Sequence, residues 1–161
     1  MVEGNKYMKK NYYSFEEIKT KFQSYKDLKE SNITEEEYEI FCDEIQVLPK
    51  EIIDKVQTEI QFVLLSADFK KGNPACYVNL REGVDKEKEA IIVLTPFVFA
   101  SFVHKNGKEI RPNKQYILHE IAHHILGHYV YKDERDYEEK EKTAREQVEK
   151  WIKQWIFRAD E

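Results

Sequence analysis

The sequence predicts an α+β fold in a single domain of 161 residues. Apolar residues recur at spacings of three and four in the first third of the chain and again near its end, which indicates amphipathic helices. Three short runs of strand-forming residues lie between these regions and are separated by turn signals. The expected order is N-terminal helices, a small three-stranded mixed sheet, and two further helices.

Capping signals mark the first helices. Ser14 is followed three positions later by Glu17, the capping box that satisfies the first N–H groups of a helix. Thr34 and Glu37 repeat the pattern, and Pro49 suits the first turn of a third helix. The buried stripes of these helices are expected to be Phe15, Ile18, Phe22, Tyr25 and Leu28, then Tyr38, Phe41, Ile45 and Leu48, then Ile52, Ile53, Val56 and Ile60.

The middle of the chain changes to strand patterns. We predict strands at residues 62–65, 75–80 and 90–94. The last of these is apolar throughout, so we expect both of its faces to be covered. Thr95-Pro96 then resembles a helix start, and residues 97–103 are predicted to form a short helix. A continuing strand is the alternative, because that segment is aromatic and β-branched.

An H-E-x-x-H motif stands in the apolar segment 113–127, which we predict to be a helix. Residues four apart lie on the same helix face, so His119 and His123 can present two nitrogens to one metal ion. Zinc takes such ligands at about 2.0–2.1 Å, and catalytic zinc sites keep one position open for water. Glu120 is placed to reach that water, and we predict it to be the general base of a metallohydrolase.

A catalytic zinc site normally has three protein ligands, so one more is needed. Glu141 is the best candidate in the last helix, predicted at about residues 136–157. Its spacing from Ala144 and Val148 places it on the buried stripe of that helix. A carboxylate on a buried face must be paired or bind a metal.

Other residues compete for the third position. Glu138 and Glu134 lie one and two turns before Glu141 on the same helix. His128 is about half a turn off the ligand face and reaches the metal only if the helix breaks before it, so we expect it to support the site. His124 is turned about 100° away from His123. His104 is expected to be a surface histidine.

The run His119 to His128, followed by Glu141-Lys142-Thr143-Ala144, resembles the ImmA/IrrE family of zinc peptidases. That family is marked by H-E-L-x-H-x-L-x-H and a later E-x-x-A. The resemblance covers roughly residues 50–157 and implies a minimal, gluzincin-like form of the zincin fold. This chain has Val148 and Trp151 where the family usually has an F-A pair, so we expect a different substrate cleft.

Residue by residue, the resemblance implies a Zn²⁺ ion held by His119, His123 and Glu141, with Glu120 as the base. It also implies a protein substrate, such as a transcriptional repressor. A peptidase needs a donor that stabilises the oxyanion of the transition state. The candidates are Tyr116, Tyr129, Tyr131 and His128.

Composition narrows the class of protein. The net charge is −5 with both signs interspersed, which argues against direct nucleic-acid binding. No apolar run approaches the roughly 20 residues of a membrane span. Cys42 and Cys76 are too few for a disulfide scaffold, and we expect buried thiols in a reducing compartment. We therefore expect a cytoplasmic protein, with residues 1–13 as a flexible tail.

The sequence favours a zinc metalloendopeptidase over three alternatives. A catalytically silent zincin-fold binding module acting on a regulatory partner would have no use for Glu120. An SprT-like protease usually has three histidine ligands, and often a cysteine zinc ribbon or a basic arm. A purely helical interaction protein would require the whole motif to be accidental.

Overall fold

The computed structural model describes residues 11–27, 33–64, 75–79, 88–94, 98, 103–105, 108–110 and 115–158. Over these ranges the chain is mixed α+β, as predicted. The six helices are α1 (Phe15–Lys21), α2 (Gln23–Lys26), α3 (Glu35–Ile45), α4 (Lys50–Glu59), α5 (Tyr116–Ile125) and α6 (Glu134–Phe157). The strands are β1 (Ile60–Leu64), β2 (Ala75–Asn79), β3 (Ala90–Leu94), β4 (Val103–Lys105) and β5 (Lys108–Ile110).

The first three strands form one mixed sheet in the order β1-β3-β2. Strand β3 pairs in parallel with β1 and antiparallel with β2, so Phe62, Ile92 and Tyr77 lie in one row across the sheet. Burial along β3 alternates between buried and half-buried residues. One face of the sheet therefore packs fully on the core, whereas the other, which we expected to be covered as well, is only half covered.

An aromatic cluster fastens the N-terminal helices to the buried face of the sheet. Phe22, Tyr25, Phe41 and Phe62 meet through edge-on and tilted ring contacts. The Tyr25 hydroxyl also donates to the carbonyl of Ile60, 3.1 Å away. Such pairs add to the free energy gained from burying the rings alone.

Both predicted capping boxes are present, at Ser14 and at Thr34. The first predicted helix is divided at Phe22 into α1 and α2. Ile60, predicted on the core face of the third helix, instead begins β1 with an extended backbone. The β-branched and aromatic residues that follow Ile60 favour the strand, and its buried side chain is equally compatible with either structure.

The segment after β3 differs from its predicted helix where the structure describes it. Val98 is helical, but Val103 lies in β4, which pairs antiparallel with β5. The strand β5 was missed, because three residues, two of them charged, give no periodic signal. Some of the predicted positions lie outside the described residues: Leu28, Leu65, Leu80, the rest of 97–102 and the side chain of His104.

The two last helices differ from prediction at their starts. Helix α5 begins at Tyr116 rather than near residue 113, which lies outside the described residues. Helix α6 begins at Glu134, and the Asp133 side chain accepts from the amide of Asp136 as its N-cap. This first turn holds no residue of the apolar stripe, so periodicity placed the start too late.

The termini and cysteines are described only in part. Residues 1–10 lie outside the described residues, and the Tyr13 hydroxyl donates to Asp54 at 2.6 Å. Cys42 is fully buried, as expected, while the side chain of Cys76 is not among those described. Over the described ranges, every helix is too short or too polar to cross a membrane.

Candidate metal centre

Helix α5 is held in the core by its apolar residues, among which Ile117, Leu118 and Ile121 are buried. Its N-terminus is capped from another element. The Glu44 carboxylate on α3 accepts hydrogen bonds from the amides of Ile117 and Leu118, at 2.8 and 3.1 Å. A negative charge is favourable there, because the first N–H groups of a helix lack partners and carry partial positive charge.

The C-terminal end of α5 is a Schellman motif. Gly127 has a φ of +72°. The Gly127 amide donates to the His124 carbonyl at 3.2 Å, and the His128 amide donates to the His123 carbonyl at 2.9 Å. These two bonds define the motif, which suits glycine because it has no Cβ to oppose a left-handed backbone. The reversal brings His128 back against His123.

Three predicted ligands converge on one point. The Nε2 atoms of His119 and His123 are 3.1 Å apart. Glu141 on α6 lies between them, with one carboxylate oxygen 2.9 Å from His119 Nε2 and the other 2.9 Å from His123 Nε2. Helices α5 and α6 pack directly against each other, and the small, fully buried Ala144 lies one turn beyond Glu141. The alternatives Glu138 and Glu134 are exposed.

These residues fit a metal ion. Two donors on one tetrahedral zinc at about 2.0–2.1 Å are themselves about 3.3 Å apart, close to the separations found here. Burial lowers the pKa of His123, and the neighbouring His119 lowers it further, so the imidazole is neutral and keeps a lone pair for coordination. Two imidazoles and a carboxylate suit several divalent ions. The described residues thus include a group that could hold a metal, without selecting which one.

Glu120 lies beside this group and is not part of it. Burial raises the pKa of Glu120 to about 7, and the charge of Glu141 contributes. The backbone N–H of Tyr77 on β2 donates a hydrogen bond to the carboxylate, which acts in the opposite direction. Glu120 is thus not one of the three residues whose donor atoms converge.

His128 supports His123 rather than joining the ligands. The Nδ1 atoms of the two rings are 3.0 Å apart, on the side of His123 away from Glu141. On its other side, His128 Nε2 lies 3.5 Å from the hydroxyl of Thr143. Burial lowers the pKa of His128, with a contribution from Lys140. Partners behind a metal-ligating histidine fix its ring orientation and tautomer.

His124 points away from the three candidate ligands into a separate hydrogen-bond network. Its ring nitrogens lie 2.8 Å from the Tyr77 hydroxyl and 2.8 Å from a Glu59 carboxylate oxygen. The side chain is 1% exposed. Glu89 completes a second His/Glu group, but hydrogen bonds already satisfy both nitrogens of His124 without a metal. The sequence analysis did not identify Tyr77 and Glu59 as partners of His124. The available signal was a histidine on the apolar face of a helix, because a buried histidine needs hydrogen-bond partners.

Of the candidate oxyanion donors, Tyr131 and His128 both interact electrostatically with Glu141, and His128 already contacts His123. Burial raises the pKa of Tyr131 to about 12, and the charges of Glu141 and Glu120 add to the effect. The hydroxyl therefore keeps its proton at neutral pH and remains a donor. Its ring packs edge-on against Tyr137 at 4.9 Å.

Comparisons of the chain with family models, with curated proteins and with solved structures find no match.

Proposed function

We propose that this protein is a zinc-dependent metalloendopeptidase that hydrolyses a peptide bond in a protein substrate, such as a transcriptional repressor. One observation carries the proposal: two imidazole nitrogens and a carboxylate converge within 3.1 Å, beside a separate carboxylate at Glu120. The resemblance of the motif residues to the ImmA/IrrE family supports it. The α+β architecture is compatible with a zincin-like fold.

In this mechanism His119, His123 and Glu141 would hold zinc, which would lower the pKa of water and polarise a carbonyl group. Glu120 accepts the proton of the attacking water and passes it to the leaving amine nitrogen. The Tyr77 amide fixes the carboxylate of Glu120 during both transfers. The Tyr131 hydroxyl donates to the oxyanion that develops on the substrate carbonyl.

The half-buried position of Glu120 favours an enzyme over a silent binding module. Burying a carboxylate away from water costs free energy unless it has partners. Such a cost is expected where the group performs chemistry, because active sites shift pKa values through burial and like charges. A module that only binds a partner would gain nothing from a glutamate at this position.

The first test is the zinc content of the purified protein beside two matched variants. Glu141→Ala removes the proposed ligand, whereas Glu138→Ala removes an exposed carboxylate from the same helix. We expect about one zinc per chain in the wild type and in Glu138→Ala, with zinc lost or weakly held in Glu141→Ala. No zinc in the wild type after reconstitution would exclude the proposal.

The second test is hydrolysis of a mixed peptide library, followed by mass spectrometry. Glu120→Gln keeps the size of the side chain and removes its basicity. It should retain zinc and lose turnover by at least about a hundredfold. Turnover equal to that of the wild type would remove Glu120 from the mechanism.

A further inference from the structure

A cavity of about 540 Å³ opens beside the candidate metal centre. Gln115 and the proposed ligand His119 contribute one side of it, and the C-terminal half of α6 contributes the other. His119 is therefore the residue that the cavity shares with the candidate metal centre.

The α6 side of this cavity is a regular apolar stripe. Val148, Ile152 and Ile156 line it, each four residues after the last. Their burial decreases along the helix: Val148 is 4% exposed, Ile152 is half-buried and Ile156 is 55% exposed. The groove is thus deepest near the metal centre and opens toward the end of α6.

The dimensions of the groove match an extended peptide. Residues four apart on a helix are separated by about 6 Å along its axis. Side chains on one face of an extended chain recur every two residues, at about 6.6 Å. The lining from residue 145 to residue 156 spans about 16 Å, which is the length of about five extended residues.

The rim of the groove suits a polypeptide backbone. Arg145, Glu149 and Lys153 line it, also at intervals of four residues. They supply donors and an acceptor along the full length of the apolar stripe. Main-chain amides and carbonyls of an extended ligand need such partners, whereas a purely hydrocarbon ligand does not.

We propose that this groove binds about five residues of extended substrate on one side of the scissile bond, with apolar side chains at alternate positions facing Val148, Ile152 and Ile156. The inference rests on the proposed peptidase function and specifies its substrate class. A sequence in which apolar residues are adjacent would place only one of each pair against the stripe, since successive side chains point to opposite faces.

The test is calorimetric binding of hydroxamates to the zinc-loaded full-length protein. The affinity for acetohydroxamic acid reports on binding to the metal alone. Two pentapeptide hydroxamates of equal composition, Ser-Leu-Ser-Leu-Ser and Ser-Leu-Leu-Ser-Ser, measure the groove, with the hydroxamate placed at each end in turn. With the hydroxamate at one of the two ends, we expect the alternating peptide to bind at least about tenfold more tightly than the peptide with adjacent leucines. This gain corresponds to the burial of one more leucine side chain.

Two exposed residues provide matched variants. Ile156→Ser should reduce the affinity ratio of the two peptides at least about threefold. Phe157→Ser changes a neighbouring side chain that is 58% exposed and is not part of the lining, so it should leave the ratio unchanged. Equal affinities for the two peptides, with acetohydroxamic acid still bound, would overturn this inference and leave the metal site standing. Failure to bind zinc and acetohydroxamic acid would overturn the proposed function as well.

Discussion

The Nδ1 atom of His123 lies 3.0 Å from the Nδ1 atom of His128. This contact places one imidazole directly behind another that is a proposed metal ligand. Because such partners orient the ligand ring, we predict that His128→Phe lowers zinc affinity by about 10–100-fold. The measurement is competition for zinc with a chelating dye. Thr143→Val removes the weaker 3.5 Å contact to His128 together with the hydrogen bond from the Thr143 hydroxyl to the Lys140 carbonyl, and it should have a smaller effect. Unchanged affinity in His128→Phe would show that the contact does not position His123.

Substitutions that break the hydrogen bonds of His124 are expected to lower the stability of the fold. His124→Leu keeps the bulk of the side chain. It removes the imidazole hydrogen bonds to the Tyr77 hydroxyl and the Glu59 carboxylate. Because buried polar groups that lose their partners are costly, we expect the free energy of unfolding in urea to fall by about 2–4 kcal/mol. Tyr77→Phe removes one hydroxyl and should cost about 1 kcal/mol. The prediction is wrong if the two variants have equal stability.

The contact between Glu44 and the start of α5 is expected to contribute electrostatically to the free energy of unfolding. We expect Glu44→Ala to lower the free energy of unfolding by about 1–2 kcal/mol, and Glu44→Gln by less, because an amide oxygen still accepts hydrogen bonds. Salt screens the charge, so the effect of Glu44→Gln should shrink in 1 M NaCl, where the Debye length is about 3 Å. Glu139→Gln, which removes an exposed carboxylate beyond the first turn of α6, is the control and should change stability by less than about 0.5 kcal/mol.

The Schellman motif predicts a backbone effect at Gly127. A Cβ there would meet the Tyr129 ring at 3.9 Å, an ordinary contact, so space does not oppose a side chain. The cost of Gly127→Ala instead comes from the positive φ, and we expect about 1 kcal/mol in thermal or urea unfolding. Gly127→Asn should cost less, because asparagine tolerates the left-handed region. Equal losses for alanine and asparagine would contradict this explanation.

The burial of Cys42 predicts that its thiol reacts slowly in the folded protein and that the free energy of unfolding depends on pH. Burial raises the pKa of its thiol to about 12, so in Cys76→Ser, where it is the remaining cysteine, iodoacetamide should label it only after unfolding. The folded thiol keeps its proton while the unfolded thiol loses it above its ordinary pKa of 9.0. The Cys42 contribution is therefore fully present below pH 9 and declines as the pH rises toward 12. The measurement compares the wild type with Cys42→Ala. The free energy of unfolding of the variant should vary less between pH 9 and pH 12.

The α+β class and the convergence of His119, His123 and Glu141 were predictable because both follow from local patterns. His119 and His123 are one helical turn apart, and Glu141 belongs to the stripe that contains Ala144. These relations depend only on helix geometry. The capping boxes at Ser14 and Thr34 were predictable for the same reason, since three residues separate the partners.

The contacts that support the site were not predictable, because they join distant parts of the chain. Glu44 reaches α5 across 73 residues of sequence, and His124 meets Glu59 across 65. Nothing in the local pattern around Glu44 distinguishes it from a solvated glutamate. The position of Ile60 was misassigned for a related reason: a buried isoleucine fits a helix or a strand, and its pairing with Ala90 decides between them.

The hydrogen bond from the Tyr77 amide to Glu120 has a consequence for aggregation. Among the described strands, β2 is at an edge of its sheet, and exposed edges invite pairing with other chains. Helix α5 packs against β2, and the Glu120 side chain accepts a hydrogen bond from the Tyr77 amide at that edge. Alanine at position 120 would remove this protection together with the base, whereas glutamine keeps an acceptor for the amide. Of two inactive forms, only the glutamine variant is expected to stay as monodisperse in concentrated solution as the wild type.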